Sequence, residues 1–236
     1  MKRGTGARPV LLVALLGAVL AVLCLLSVAL GAAGIPPAQA VRALFGDAPS
    51  RYVENVVWSA RVPRTAVGLA AGAALGLSGA LMQALTRNPL ADPGVLGVSA
   101  GASFAIVLAV GVFGLGSFHE YVWFGFAGAF VASVLVYSLS RLGRSGLTPV
   151  KLALAGIAVT SLLSCLTSAV ALTDPDALDR YRVWSAGSMA DQDGATAVRM
   201  LPFVAVGAVL ALACAPALNS LALGDDVAAS LGRRPG

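Results

Sequence analysis

Side chains able to do chemistry are few in this sequence, and they lie far apart. One histidine, His119, stands beside Glu120 between two apolar runs, and no second histidine or carboxylate lies within the apolar segments to complete a site with it. Lys2 and Lys151 lack a preceding glycine-rich pattern, so there is no phosphate-cradling nucleotide loop and the chain is not expected to hydrolyse ATP. Cys24, Cys165 and Cys214 sit in apolar stretches without metal-ligand spacing and read as small hydrophobes. No catalytic residue, metal centre or cofactor is therefore expected. The absence of acids from the apolar runs also argues against a carrier that couples to protons or sodium through buried carboxylates. What does cluster is arginine: Arg42, Arg51, Arg61 and Arg64 are opposed only by Asp47 and Glu54. This stretch is either a solvated loop or a basic patch for an acidic partner, since charge complementarity steers docking and fixes register.

The elements that must carry these groups follow from composition. Of 236 residues, 58% are hydrophobic and 11% charged, against roughly 25% charged in a soluble chain, so most of the surface must face lipid. The net charge of +5 does not point to nucleic acid, because the basic residues lie between apolar runs rather than interleaved with aromatics. Crossing a bilayer core takes about 20 apolar helical residues, and six uncharged segments meet that test. The expected fold is an all-α, polytopic membrane helix bundle in one transmembrane domain, 1–236, with helices at 9–30, 65–86, 95–118, 121–140, 152–173 and 200–217, then a segment 218–236. Ala38-Gln39-Ala40 resembles a signal cleavage site, but the first apolar run, Val10 to Leu30, is longer than the roughly 7 to 15 residues of a signal core, which favours an uncleaved helix.

Orientation is read from Lys and Arg in short loops. With the N-terminus inside, the inner segments hold Lys2, Arg3, Arg8, Arg87, Arg141, Arg144, Lys151, Arg233 and Arg234, and the outer ones hold Arg42, Arg51, Arg61, Arg64, Arg180, Arg182 and Arg199. Nine against seven sets the N-terminus in the cytoplasm and leaves an outer positive excess to be explained. Within the second run, Gly68, Gly72, Gly76, Ala80 and Ala84 recur every four residues, a smooth stripe suited to close helix packing or, alternatively, to lining a pathway. Gln83 near its inner end should find a hydrogen-bond partner inside the protein. Next come Arg87-Asn88-Pro89-Leu90-Ala91-Asp92-Pro93-Gly94, a sharp turn stiffened by two prolines, with Asp92 placed to cap the next helix. Asp191 or Asp193 is a cap candidate for the sixth helix, whose end is expected at Asn219-Ser220. The segment with Asp174-Pro175-Asp176, Asp179, Arg180 and Arg182 reads as a mixed-charge, partly helical surface.

Several stretches, in order, resemble the FecCD-type permease subunits of ATP-binding-cassette importers for ferric siderophores, haem and cobalamin. They are Arg61-Val62-Pro63-Arg64; Gly72 to Ala80 with Met82-Gln83-Ala84; Arg87 to Val98 with Gly101-Ala102; Leu154-Ala155-Gly156-Ile157; Trp184 to Ser188; and Leu218 to Gly232. The resemblance covers about residues 10 to 232. It implies that Arg61 and Arg64 lie outside and meet an acidic solute-binding protein, and that Gly224, Asp225, Asp226, Ala229, Leu231 and Gly232 contact a cytoplasmic ATPase dimer. It also implies a second permease subunit, a cytoplasmic gate near Gly143 to Thr148, and a pathway wall on the fifth helix with Thr160, Ser161, Ser164 and Thr167; small polar residues there also suit interhelical hydrogen bonding. Asn88 and Pro89 join Gly68, Gly72, Gly76, Gln83, Ser161 and Ser164 as candidate packing or pathway positions. The family fold has ten membrane helices, so six imply its N-terminal part. The expected activity is import of iron-siderophore complexes across the bacterial cytoplasmic membrane by alternating access, with Arg180-Tyr181-Arg182-Val183-Trp184 leaning towards siderophores over cobalamin. A non-transporting protein that binds only the ATPase and a passive channel are the other readings, the latter disfavoured by the lack of charged pore rings.

Overall fold

The computed structural model describes residues 7–115, 118–142, 148–173, 175–187, 189 and 194–222. Among them the chain is helical throughout its ordered elements: α1 (Ala7–Ala29), α2 (Pro37–Leu44), α3 (Arg51–Val56), α4 (Val62–Thr86), α5 (Val98–Gly111), α6 (Phe118–Ser140), α7 (Pro149–Thr173), α8 (Pro175–Ala186) and α9 (Gly194–Ala222). Five helical stretches are long and apolar enough to cross a membrane: Arg8–Ala29, Arg51–Thr86, Glu120–Ser140, Pro149–Thr173 and Gly194–Asn219. Their flanks are uncovered. None of the apolar window of α1 is buried within the chain, which only a hydrocarbon solvent or further protein makes tolerable.

The chain divides into two compact units. The first contains α1, α2, α3, the start of α4 to Ala74, Met189 and α9 as far as Val209. Its core is small: Val28 at the end of α1, Ile35 from the loop after it, Ala40 and Ala43 from α2, Val53 from α3 and Val57 from the turn that follows. Local signals place those helices. Pro37 occupies the first turn of α2, where its missing N–H costs nothing, and the Ser50 hydroxyl accepts from Val53 N at 3.3 Å to cap α3. The Trp58 indole N–H donates to the Ala43 carbonyl at 3.2 Å, tying α2 to the chain that follows α3. Between α3 and α4, Val57–Arg61 forms a single π-helical turn, closed by Val62 N–H on the Val57 carbonyl.

The second unit holds the rest of α4, α5 to α8, and α9 from Leu210. Met82, Val136, Leu152 and Val159 form its core, and Ala91, Val95 and Leu96 of the turn after α4 pack against it. Helices α5 and α6 meet backbone to backbone. A Cβ at Gly101 would collide with the Gly128 carbonyl, and one at Gly128 with the Gly101 carbonyl, so only glycine permits this backbone contact. Gly156 of α7 likewise lies against the Val95 carbonyl.

Several boundaries differ from the sequence reading. The third apolar run, expected as a helix over 95–118, is a 3-10 turn at Pro93–Leu96, the 14-residue helix α5, and a break. Gly97 (φ 69°) and Gly114 (φ 65°) are left-handed and delimit it. At 1.5 Å per residue, α5 rises about 21 Å, less than a bilayer core of about 30 Å. α4 begins before residue 65 and α9 before residue 200, because Arg64 and Arg199 interrupt an uncharged run without interrupting a helix. α9 runs on to Ala222, past the expected end at Asn219. α8 confirms the helical character expected for its mixed-charge segment.

Candidate functional site

The arginine-rich stretch resolves into a defined arrangement in the first unit. A helix C-terminus leaves its last carbonyls without intrahelical donors and carries partial negative charge. At the end of α1 two guanidinium groups supply both donors and positive charge. Arg61 Nη1 donates to the Val28 and Ala29 carbonyls, each at 2.9 Å. Arg64 Nη2 donates to the Ser27 carbonyl at 2.7 Å and the Leu30 carbonyl at 3.3 Å. The two arginines, three residues apart, share one helical face. Beneath them the Ser27 and Thr65 hydroxyls are 2.8 Å apart, and Thr65 Oγ1 donates back to the Arg61 carbonyl at 2.8 Å.

Burial separates the pair. Arg61 is 3% exposed, and its Nη2 is buried without an acceptor among the described residues. A Cβ at Gly31 would come within 3.0 Å of Arg61 Nε and 3.1 Å of Cζ, so that glycine leaves the space the guanidinium fills. The expectation of two outward-facing cations at 61 and 64 thus meets an Arg61 turned inward and an Arg64 half-buried at the surface. Arg42 and Arg51 are exposed, as are Asp47 and Glu54.

Beside this cluster runs a groove of about 810 Å³ between α1 and α4, lined by Leu20, Leu23, Cys24 and Ser27, by Arg64, Thr65, Gly68, Leu69, Gly72 and Ala73, and by Met189. Gly68 would meet only the Met189 sulfur, at 3.6 Å, and nothing lies within 4 Å of a Cβ at Gly72 or Gly76 among the described residues. The glycine stripe is therefore open here. Gln83 is exposed on the same helix, without the internal hydrogen-bond partner expected for it among the described residues.

In the second unit the proline-stiffened turn is built as its residues suggest. Asn88 Oδ1 accepts from Leu90 N at 3.0 Å, Pro89 follows at the surface, and Asp92 Oδ1 accepts from Gly94 N at 2.7 Å. Asp92 does cap, but it caps the 3-10 turn rather than α5 itself. On α7, Thr167 is buried and donates to the Leu163 carbonyl at 2.7 Å, while Ser161 and Ser164 lie on an exposed face and Ser168 Oγ donates to the Ser164 carbonyl at 3.0 Å. Gly224, Asp225, Asp226, Ala229, Leu231 and Gly232 lie outside the described residues, as do 143–147 of the expected gate loop and the cap candidates Asp191 and Asp193. Sequence reasoning missed that α1 and α4 are joined through Ser27, Thr65 and the two arginines. The available signal was a pair of cations spaced three apart opposite the only serine in the first apolar run.

Helices without strands among the described residues, five of them fit to span a bilayer, define a multi-pass membrane protein. The chain belongs to the FecCD transport family, whose model matches residues 19–236. It is 48% identical over 209 residues to the ferric enterobactin transport system permease protein FepD of Escherichia coli, covering 89% of this chain and 62% of that one. It is 40% identical over 218 residues to the iron(3+)-hydroxamate import system permease protein FhuB of Bacillus subtilis, covering 91% and 56%. The hemin transport system permease protein HmuU of Yersinia pestis is 31% identical over 230 residues, covering 95% and 67%. Among solved structures, an inward-facing metal-chelate type ABC transporter superposes with a TM-score of 0.72 at 25% identity, over 92% of this chain and 66% of that one. The chain thus spans less than two thirds of the length of FepD and FhuB.

Proposed function

We propose that this chain serves in the permease subunit of an importer that moves ferric-siderophore complexes across the bacterial cytoplasmic membrane by alternating access. The observation that carries this reading is the family match over 19–236 together with 48% identity to a ferric enterobactin permease protein. Energy comes from a separate ATPase dimer, since the chain has no nucleotide loop. A second permease subunit completes the pathway and an extracytoplasmic solute-binding protein delivers the chelate. The N-terminus is cytoplasmic, which puts the α2–α3 segment and Arg64 outside; the apolar α5 with its flanking turns makes a sixth crossing beside the five long stretches, so that the segment from Gly224 to Gly232 lies inside against the ATPase.

In this reading Arg64 meets a carboxylate of the binding protein, with exposed Arg42 and Arg51 adding positive charge to the same unit and Arg61 buried. The stripe of Gly68, Gly72 and Gly76 and the exposed Ser161 and Ser164 serve as pathway or packing surfaces. Gln83, Asn88 and Pro89 shape the inner end of α4. The direct test is ATP-dependent uptake by proteoliposomes holding this chain with its partner permease subunit, ATPase and binding protein, offered ferric enterobactin, a ferric hydroxamate, ferric citrate and hemin. Uptake of at least one ferric siderophore is expected, and hemin uptake alone would overturn the substrate class. For docking, Arg64→Glu should weaken binding-protein association most at low ionic strength. Equal affinity at low salt would remove Arg64 from the interface.

A further inference from the structure

We infer that Arg61 and Arg64 together are the fastening that positions α1 against α4, with Arg61 the permanent member, and that this role holds whether or not any partner docks nearby. Four consecutive carbonyls, from Ser27 to Leu30, are bonded by these two side chains. That coincides with the set a helix end leaves open. A guanidinium offers five donors in a rigid fork, so one group can bind two carbonyls and also offset the negative end of the helix dipole.

The burial of Arg61 follows from the same geometry. A buried cation needs compensation, and the end of α1 is the compensating group on view; its two short bonds are charge-assisted. Gly31 completes the fit, because a side chain there would strike the guanidinium. Below the clamp the groove opens between the same two helices, from Ser27 and Thr65 down to Leu20 and Ala73. The helices are therefore joined at the clamp and separated beyond it, which makes Arg61 a positioning residue for the whole of α1.

The test uses the full chain in lipid nanodiscs, with Cys24, Cys165 and Cys214 replaced by serine, and the pair Ser27→Cys and Thr65→Cys introduced where the hydroxyls now stand 2.8 Å apart. This substitution also removes the Ser27–Thr65 hydrogen bond, leaving the arginines to hold the helices. Disulfide formation under copper-phenanthroline oxidation is followed by mass, with circular dichroism confirming retained helix. The parent pair should oxidise readily, and adding Arg61→Ala should slow it about tenfold or more, the factor equivalent to losing charge-assisted bonds. Arg61→Lys should recover part of the rate, since an ammonium reaches these carbonyls with fewer donors, and Arg64→Ala should slow it less than Arg61→Ala. Gly31→Val, which displaces the guanidinium without removing it, should act like Arg61→Ala, whereas Gly17→Val, with nothing within 4 Å, should not. If Arg61→Ala loses its helix signal, the contrast between Gly31→Val and Gly17→Val decides. A parent pair that does not oxidise, or Gly31→Val or folded Arg61→Ala oxidising at the parent rate, overturns the inference.

Discussion

Glycine-to-alanine substitution should have opposite signs at two positions of this bundle. At Gly156 an added methyl would fall on the Val95 carbonyl oxygen, with the carbonyl carbon at 2.9 Å. Both atoms are backbone, so neither can rotate aside, and the overpacking cost lies at the upper end of its usual range, about 3 kcal/mol. Alanine regains about 1 kcal/mol of helix propensity, which leaves a net loss near 2 kcal/mol. At about 2–4 °C per kcal/mol for a chain of this size, Gly156→Ala should melt about 4–8 °C below the parent. Gly76 lies in α4 with nothing within 4 Å, so Gly76→Ala keeps the propensity gain alone and should melt about 2–4 °C higher. Thermal unfolding in detergent, followed by circular dichroism and by recovery of the monodisperse species, reads both. Gly156→Ala melting at or above the parent would refute the packing argument. Gly76→Ala falling as far as Gly156→Ala would show that the stripe is covered after all.

Other expectations follow from single contacts. Asp92→Ala removes the acceptor of the Gly94 N–H and should cost about 1 kcal/mol, with Asp92→Asn restoring most of it in the same melts. Trp58→Phe leaves a smaller aromatic ring and loses the bond to the Ala43 carbonyl; it should cost about 1 kcal/mol and speed proteolysis between α2 and α3. Asp225→Lys with Asp226→Lys should abolish stimulation of the partner ATPase by the permease, and persistent stimulation would remove these residues from the coupling contact.

How much of this was legible depended on which force set each feature. The long helices could be read because crossing a bilayer requires an uninterrupted apolar run, and five such stretches are present among the described residues. The third run could not be read correctly, because its hydropathy continues through Gly97 and Gly114 while its backbone does not. Helix starts at α4 and α9 were placed too late for the converse reason: a charge such as Arg64 ends a hydropathy window, yet its long side chain reaches back to a helix end. Asp92 was legible as a cap because Asp-Pro is a local signal. The destination of Arg61 was not, since two identical side chains three residues apart take different environments only once α1 and Gly31 are in place. Family resemblance could supply roles for both arginines but no burial.

The π-helical turn at Val57–Arg61 sits inside what is otherwise a 36-residue helical run from Arg51 to Thr86. Such a turn is, in effect, one residue more than the helix needs. Deleting a single codon there would let α3 and α4 fuse into an unbroken rod with their faces still in phase, whereas adding one would ask the helix for about 100° of further rotation, the turn of one residue. Everything before the insertion would swing around the axis by that angle relative to Arg64, carrying Val53 and its core partners away from Val28. A gene carrying this lesion would keep its hydropathy profile, its charge and nearly all its motif residues, and would still encode a chain unable to close its first unit. Variants in this stretch are therefore better judged by length than by residue type.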